Sequence, residues 1–324
     1  MTSRAVIKPR RLEPGQTVGV VAPGYNIDED EQIHAALETV ASLGYRVKAS
    51  EHLFARHGYF AGDDPARAAD LLAMFADPEV AGIICLRGGY GCSRLLPLLD
   101  FDLIRRNPKV LVGYSDVTAL LNPIHDRTGL VTFHGPLADQ TYSAYTLAEL
   151  RKVVVAGESG VMLGAAPPFA AAPGKVERTN RAITLAPGVA RGRLVGGNLT
   201  LLAHLAGTPF APDTRGALLF IEDVDETVYS IDRMLTQLWL AGCLQAAAGI
   251  VLGKFTELPP PRRAHQFTLE QVLRDRCGAL GIPVVRGLMI GHVDDQTTVP
   301  IGCLAELDAD RKTLTLLEAA VAEA

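Results

Sequence analysis

The sequence predicts an α/β protein of two domains, a parallel-sheet domain followed by a mixed α/β domain with β segments near its end. Three observations carry this. A chain of 324 residues is longer than one hydrophobic core usually serves. Its first half alternates short apolar runs with amphipathic stretches, the pattern of parallel strands joined by crossover helices. Its middle is rich in Ala, Pro and Gly, as in Gly164-Ala165-Ala166-Pro167-Pro168 and Ala172-Pro173-Gly174. The expected division is residues 1–160, a connection over 161–188, and residues 189–324.

In chain order, Thr17 to Ala22 reads as a buried strand stopped by Pro23-Gly24. Glu29 to Leu43 has helical spacing, with Ile33, Leu37, Val40 and Ala41 on one face and Gly44 suited to the stop. Pro65 to Phe75 is a second helix with proline in its first turn. Val80 to Leu86 is a strand, Ser93 to Leu99 a short helix, and Val110 to Val112 a strand. Asp116 to Asp126 is a helix that Pro123 should kink or shorten. This order matches a Rossmann or flavodoxin-like sheet. The connection has room for a short strand or two. Beyond Gly192-Arg193-Leu194-Val195-Gly196-Gly197-Asn198, a helix spans Leu199 to Leu205 and another Ile231 to Leu240. Strands are expected at Ala217 to Ile221 and Gly249 to Gly253, and a helix at Leu269 to Leu280. Val299 to Ile301, Cys303 to Leu307 and Thr313 to Leu316 are the closing β segments. Pro259-Pro260-Pro261-Arg262-Arg263 reads as an exposed loop.

Composition narrows the function classes. A formal net charge of -5 argues against nucleic acid or anionic membrane as a partner, since both attract basic surfaces. The N-terminus has no apolar run of signal-peptide length, and no stretch approaches a membrane span. The cytoplasm is the expected location. Five scattered cysteines without a C-x-x-C pair fit reduced thiols there. Cys85 reads as core; Cys92, beside a glycine cluster, keeps a nucleophilic alternative. His34, His52, His57, His125, His134, His204 and His265 show no H-x-x-x-H or H-E-x-x-H spacing, which disfavours a zinc peptidase.

Chemistry is expected at three places. Val112-Gly113-Tyr114-Ser115-Asp116 lies where a strand turns into a helix, at the carboxyl edge where open α/β sheets bind ligands. A serine there projects its hydroxyl, and the next amide points at a developing oxyanion. The bland alternative is that Ser115 or Asp116 caps the helix. The second glycine of G-x-S-x-G is missing, so this is not an α/β-hydrolase elbow. Arg87-Gly88-Gly89-Tyr90-Gly91 follows a buried strand; its glycines allow close backbone approach and amide donation. It lacks the length and lysine of a phosphate loop. The third place is a pair of strand ends, Phe220-Ile221-Glu222-Asp223-Val224-Asp225-Glu226 and Gly291-His292-Val293-Asp294-Asp295. A solvated acidic loop, a helix first turn, an oxygen-ligand metal site and a structural loop histidine are the alternatives there.

Together these motifs resemble a known family. Val21-Ala22-Pro23, Arg87-Gly88-Gly89-Tyr90-Gly91, Gly113-Tyr114-Ser115-Asp116, Phe133-His134-Gly135-Pro136, Gly196-Gly197-Asn198-Leu199, Glu222-Asp223-Val224-Asp225-Glu226 and Gly291-His292 occur in the order found in the LD-carboxypeptidases. These are muramoyltetrapeptide carboxypeptidases, grouped with the microcin C self-immunity peptidases. The likeness runs from about residue 12 to about 317. It implies a serine peptidase whose triad is Ser115, Glu222 and His292, with the serine from the first domain and the other two from the second. Gly89 and Asp116 correspond to oxyanion-hole amides, and Asp225 and Glu226 to structural positions. The implied substrate is a muropeptide tetrapeptide that loses its terminal D-alanine during cell-wall recycling. Arg87, Gly88 and Asn198 are the substrate-binding candidates, and a homodimer without cofactor or metal is expected. Two rivals remain: a peptidyl-aminoacyl adenylate as substrate, and a non-catalytic two-domain binding protein. Metal-dependent hydrolysis through Glu222, Asp223 and Asp225 is a further alternative.

Overall fold

The computed structural model describes residues 5–260 and 266–323. Its strands, in chain order, begin with β1 (Thr17–Val21), β2 (Arg46–Ala49), β3 (Val80–Cys85), β4 (Val110–Gly113), β5 (Thr132–His134), β6 (Val161–Leu163) and β7 (Ile183–Ala186). There follow β8 (Val189–Asn198), β9 (Leu218–Val224), β10 (Gly249–Thr256), β11 (Val284–Arg286), β12 (Val299–Ile301), β13 (Leu304–Asp308) and β14 (Thr313–Leu316). The first sheet has the order β12-β5-β4-β3-β1-β2. Its pairs are parallel except β12 with β5. β4 is buried along its whole length, as a strand covered by helices on both faces must be.

The flanking helices follow the expected chemistry. Asp30–Ser42 buries Ile33, Ala36 and Val40; Ala41, expected inside, is exposed because the i, i+3, i+7 row selects Ala36 instead. Asp64–Ala76 starts on an Asp63 side chain that accepts from Ala66 N, with Pro65 in its first turn.

The second sheet has the order β6-β14-β13-β8-β9-β10-β11-β7. β8 to β11 form its parallel centre, flanked by antiparallel pairs. The Ala/Pro/Gly-rich stretch supplies both edges, β6 and β7. β12, read from sequence as part of the second half's closing segments, joins the first sheet. One apolar core runs through the first sheet and one face of the second, from Val20, Ile84 and Leu111 to Leu194, Phe220 and Val251.

Several expectations change in detail. Asp116–Asp126 is resolved into a 3-10 turn, Ser115–Val117, and an α-helix, Thr118–Thr128, that carries Pro123 inside it. The helix expected to Leu280 is regular over Leu269–Leu273 and continues as a wider π turn, Arg274–Gly278. A helix at Ala144–Arg151 was not expected. The proline-rich loop from Pro261 onward, and His265, lie outside the described residues. Among the described residues no helix is long and apolar enough to cross a membrane.

Candidate active site

At the end of β4 the backbone is extended at Tyr114 and then turns left-handed at Ser115, φ 61°. That conformation costs a non-glycine residue about 1–2 kcal/mol. Neither the 3-10 turn nor the helix after it has a side-chain cap, so capping does not explain Ser115 or Asp116. Gly88 lies directly beneath: a Cβ there would stand 2.9 Å from Ser115 Cβ, 3.1 Å from Oγ and 3.4 Å from Asp116 N. Only glycine permits this approach. The Ser115 hydroxyl and the Asp116 amide therefore lie against the Gly88 backbone. Tyr25 backs the turn, its amide donating to Gly88 O at 3.1 Å.

The Asp116 side chain is engaged elsewhere. Fully buried, its Oδ2 accepts from Cys92 N at 2.9 Å, tying the glycine turn to the serine turn. Burial pushes this carboxyl up, against bonds from Cys92. Cys92 is also fully buried, and burial followed by the Asp116 charge raises its thiol well above the usual range. A thiol so placed is not a nucleophile, which corrects that alternative. Cys85 is core, as read.

Glu222 stands within β9, not beyond it, because pairing with β10 carries the strand on to Val224. Strand alternation sends Glu222 and Asp223 to opposite faces. Glu222, with no exposed surface, accepts at Oε2 from His292 Nδ1 at 2.7 Å. Burial alone would raise its carboxyl; the polar contacts of His134 and His292 outweigh that and hold it down at about 2. Asp223 instead accepts from Asn198 Nδ2 at 2.8 Å and from Thr200 N and Oγ1 at 3.0 and 2.9 Å. A shared ion on both carboxylates does not fit this divergence. Among the described residues no group of three or more His, Cys, Asp or Glu is placed to hold a metal. Asp225 has φ 56° and its amide bonds Thr256 O, while Thr227, not Asp225 or Glu226, caps the next helix.

His292 sits in irregular backbone after β11, rather than at a strand end. Its carbonyl accepts from Thr256 Oγ1 at 3.1 Å, and Gln296 Nε2 donates to Gly291 O at 3.1 Å. Gly291 has φ 115°, and a Cβ there would press to 2.6 Å from Glu222 Oε2. The Gly-His pair is what lets the loop pass so close to the carboxylate. Tyr114 packs its ring on the imidazole, centroids 4.7 Å apart, and its hydroxyl accepts from Gln140 Nε2 at 2.6 Å. No hydrogen bond joins Ser115 Oγ to His292; Ser115's chain neighbour Tyr114 packs on the imidazole instead.

Of the substrate-binding candidates, Arg87 lines a cleft of about 340 Å³ with Asp139, Gln140 and Thr141. Its Nη1 donates to Asn26 O at 3.3 Å and its Nε lies 3.7 Å from Asp139 Oδ2. Burial pushes Asp139 up to about 6, against the pull of Arg87. A second cleft of about 450 Å³ shares Gln140 and Thr141 and reaches Tyr114, Tyr142, Glu257 and His292. Asn198 is buried, holds Asp223 and caps Leu199–Leu205 through Leu201 N. Sequence reasoning gave no role to His134, which is fully buried with Nε2 3.6 Å from Glu222 Oε1. Its place in the Phe133-His134-Gly135-Pro136 motif was the available signal.

Comparison with known proteins places the chain in a family. Residues 18–135 match the LD-carboxypeptidase N-terminal domain and residues 191–307 the LD-carboxypeptidase C-terminal domain. A Bacillus subtilis protein described as a probable murein peptide carboxypeptidase is 44% identical, over 98% of this chain and 96% of its own. The solved muramoyltetrapeptide carboxypeptidase of Oxalobacter formigenes is 32% identical with TM-score 0.78, covering 93% of this chain and 98% of its own. A structure of the microcin C7 self immunity protein is 26% identical with TM-score 0.85, covering 97% and 99%. Matched in both halves and over nearly its whole length, this chain belongs to the LD-carboxypeptidase family of peptidases.

Proposed function

We propose that the protein is a serine-type LD-carboxypeptidase that removes the terminal D-alanine from the preceding L-centre of murein tetrapeptides. The observation that carries this is the buried Glu222 bonded at 2.7 Å to His292 Nδ1, beside a serine turn held left-handed over a glycine. With Nδ1–H engaged by the carboxylate, the lone pair is on Nε2, the base side of the ring. In the proposed reaction Ser115 Oγ attacks the scissile carbonyl and its proton passes to His292 Nε2. The Gly89 and Asp116 amides receive the oxyanion. The tetrahedral intermediate expels D-alanine, whose nitrogen takes the proton from His292. Water then attacks the acyl-enzyme by the same route, releasing the shortened peptide acid and Ser115.

The substrate class rests on the 44% identical murein-peptide relative. The Arg87 cleft supplies a cation for a free terminal carboxylate. The two-domain reading enters as a proposal too: Ser115 comes from the first sheet and Glu222 from the second, which puts the chemistry at their seam. The test is mass spectrometry of a defined muropeptide tetrapeptide incubated with wild type and with Ser115→Ala. Loss of one alanine with wild type only is expected; equal turnover by both proteins would sink the assignment.

A rival substrate, a peptidyl-aminoacyl adenylate, is favoured by one observation. Tyr59 and Tyr90, partly exposed beside the glycine turn, have ring centroids 6.3 Å apart, and Tyr59 also packs on Tyr25. Such rings offer a base a stacking surface. Trp239 lies on the helix Val228–Leu240. A side-by-side assay decides, and preference for the adenylate would reverse the ranking.

A further inference from the structure

The Glu222 carboxylate has two oxygens, and the triad accounts for one. Oε1 has no hydrogen-bond partner, although Glu222 is fully buried. An ionised oxygen left unpaired in an apolar interior is expensive. The polar atom facing it is His134 Nε2 at 3.6 Å. His134 is itself fully buried, and neither of its ring nitrogens has a partner.

The ring is fixed in that attitude. Tyr114 and Phe220 meet it edge-on, with centroids 5.7 and 5.3 Å away. Its backbone is pinned in β5, opposite Gly113 on one side and Val299 on the other. The ionisable groups around it are Glu222, His292 beyond the carboxylate, and the Tyr114 phenol, which burial and then the Glu222 charge push up. A lone pair on Nε2 would face the carboxylate's own lone pairs, so the proton belongs on Nε2.

We propose that His134 is a positioning residue of the triad, its Nε2–H directed at Glu222 Oε1 so that the carboxylate is held between two imidazoles with Oε2 aligned on His292. This rests on the triad reading above. When His292 becomes positive during acylation, Glu222 must stay ionised and must not rotate; the second imidazole serves both needs. Removing it strips the anionic form of a stabilising donor. The Glu222 carboxyl, held down in part by His134, then takes up its proton at higher pH.

The test uses two variants and two readouts. His134→Phe keeps a ring between Tyr114 and Phe220 without the donor. It should lower kcat about ten-fold to a hundred-fold and move the acid limb of kcat/KM to higher pH. The His292 imidazole titration, followed by NMR without substrate, should move the same way. His134→Gln, which restores an N–H donor, should bring both back toward wild type. A folded His134→Phe with wild-type limb and wild-type imidazole titration overturns the proposal. Nitrogen NMR of the wild type gives a check independent of any variant: His134 protonated only on Nδ1 overturns it as well. If wild type releases no D-alanine while the imidazole titration still shifts, the substrate assignment fails and the role of His134 stands.

Discussion

Asn122 and Gly196 are joined by a reciprocal pair of hydrogen bonds, Asn122 Nδ2 to Gly196 O at 2.9 Å and Gly196 N to Asn122 Oδ1 at 3.0 Å. Asn122 lies on the helix that follows the serine turn, and Gly196 lies on β8. Two residues later Asn198 pairs with Glu222 on β9. The clamp therefore sets the distance between the serine's turn and the glutamate's strand.

Asn122→Ala should cost about 1–3 kcal/mol, because the peptide group of Gly196 is left buried without partners. Since the clamp aligns the two halves, kcat should fall as well, with the serine still present. Urea unfolding and turnover on one preparation check both. A variant of wild-type stability and activity would show that the halves are aligned by other contacts.

Gly197 is the next contact along the same seam. It has φ 138°, and a Cβ there would lie 2.5 Å from Thr118 Oγ1; that hydroxyl accepts from Asn198 N at 3.1 Å. Gly197→Ala should therefore destabilise by about 1–3 kcal/mol through overpacking and backbone strain. Trimming the neighbour should relieve part of this: Gly197→Ala should cost less in a Thr118→Ala background. A double-mutant cycle of melting or urea data reads the coupling, and strict additivity would refute the clash.

Ser115 holds backbone strain at its left-handed turn. Ser115→Ala and Ser115→Gly should both abolish turnover, but they should differ in stability. Glycine removes a left-handed penalty of about 1–2 kcal/mol. Its more flexible unfolded chain returns about 0.4–1 kcal/mol of that. Ser115→Gly should thus be more stable than Ser115→Ala by about 0.5–1 kcal/mol. The reverse order in urea unfolding would mean that the turn is not strained at Ser115.

Much of this was legible in the sequence because it rests on local signals. Apolar runs such as Thr17–Val21 and the helix Leu199–Leu205 carry their own periodicity and caps. What stayed hidden depends on distant partners. Val299–Ile301 reads as one of several closing strands, and only packing beside Thr132–His134 places it in the first sheet. The strands of the Ala/Pro/Gly-rich stretch are three and four residues long, too short to show alternation. Glu222 and His292 were found as a motif match, but their contact joins residues 70 apart. His134 has a role only once a buried carboxylate stands opposite it.

The buried carboxylates give the stability a defined pH dependence. Burial raises Asp126, Asp139 and Asp223 to about 6 from an ordinary 3.8. The folded state then binds their protons more tightly than the unfolded chain does, so their contribution grows as pH falls through about 6 and levels off near 4. Glu222 runs the other way. Its folded value near 2, below the ordinary 4.5, gives stability that is complete above about 4.5 and lost as pH falls toward 2. The melting temperature should rise from about pH 7.5 to about pH 5, then fall below about pH 4.5. Asp126, whose Oδ2 accepts from Asp213 N at 3.3 Å, sits near the end of the helix Thr118–Thr128 and can be varied alone. Asp126→Asn keeps an acceptor and removes the charge. It should add a few tenths to about 1 kcal/mol near pH 7.5, discounted for its partial exposure to solvent, and only about a third of that near pH 4.5. Calorimetry of both proteins across this range checks the sign: a wild-type melting point that drops steadily from pH 7.5 to 5, or an equal gain from Asp126→Asn at both ends, would place the strain elsewhere than on these acids.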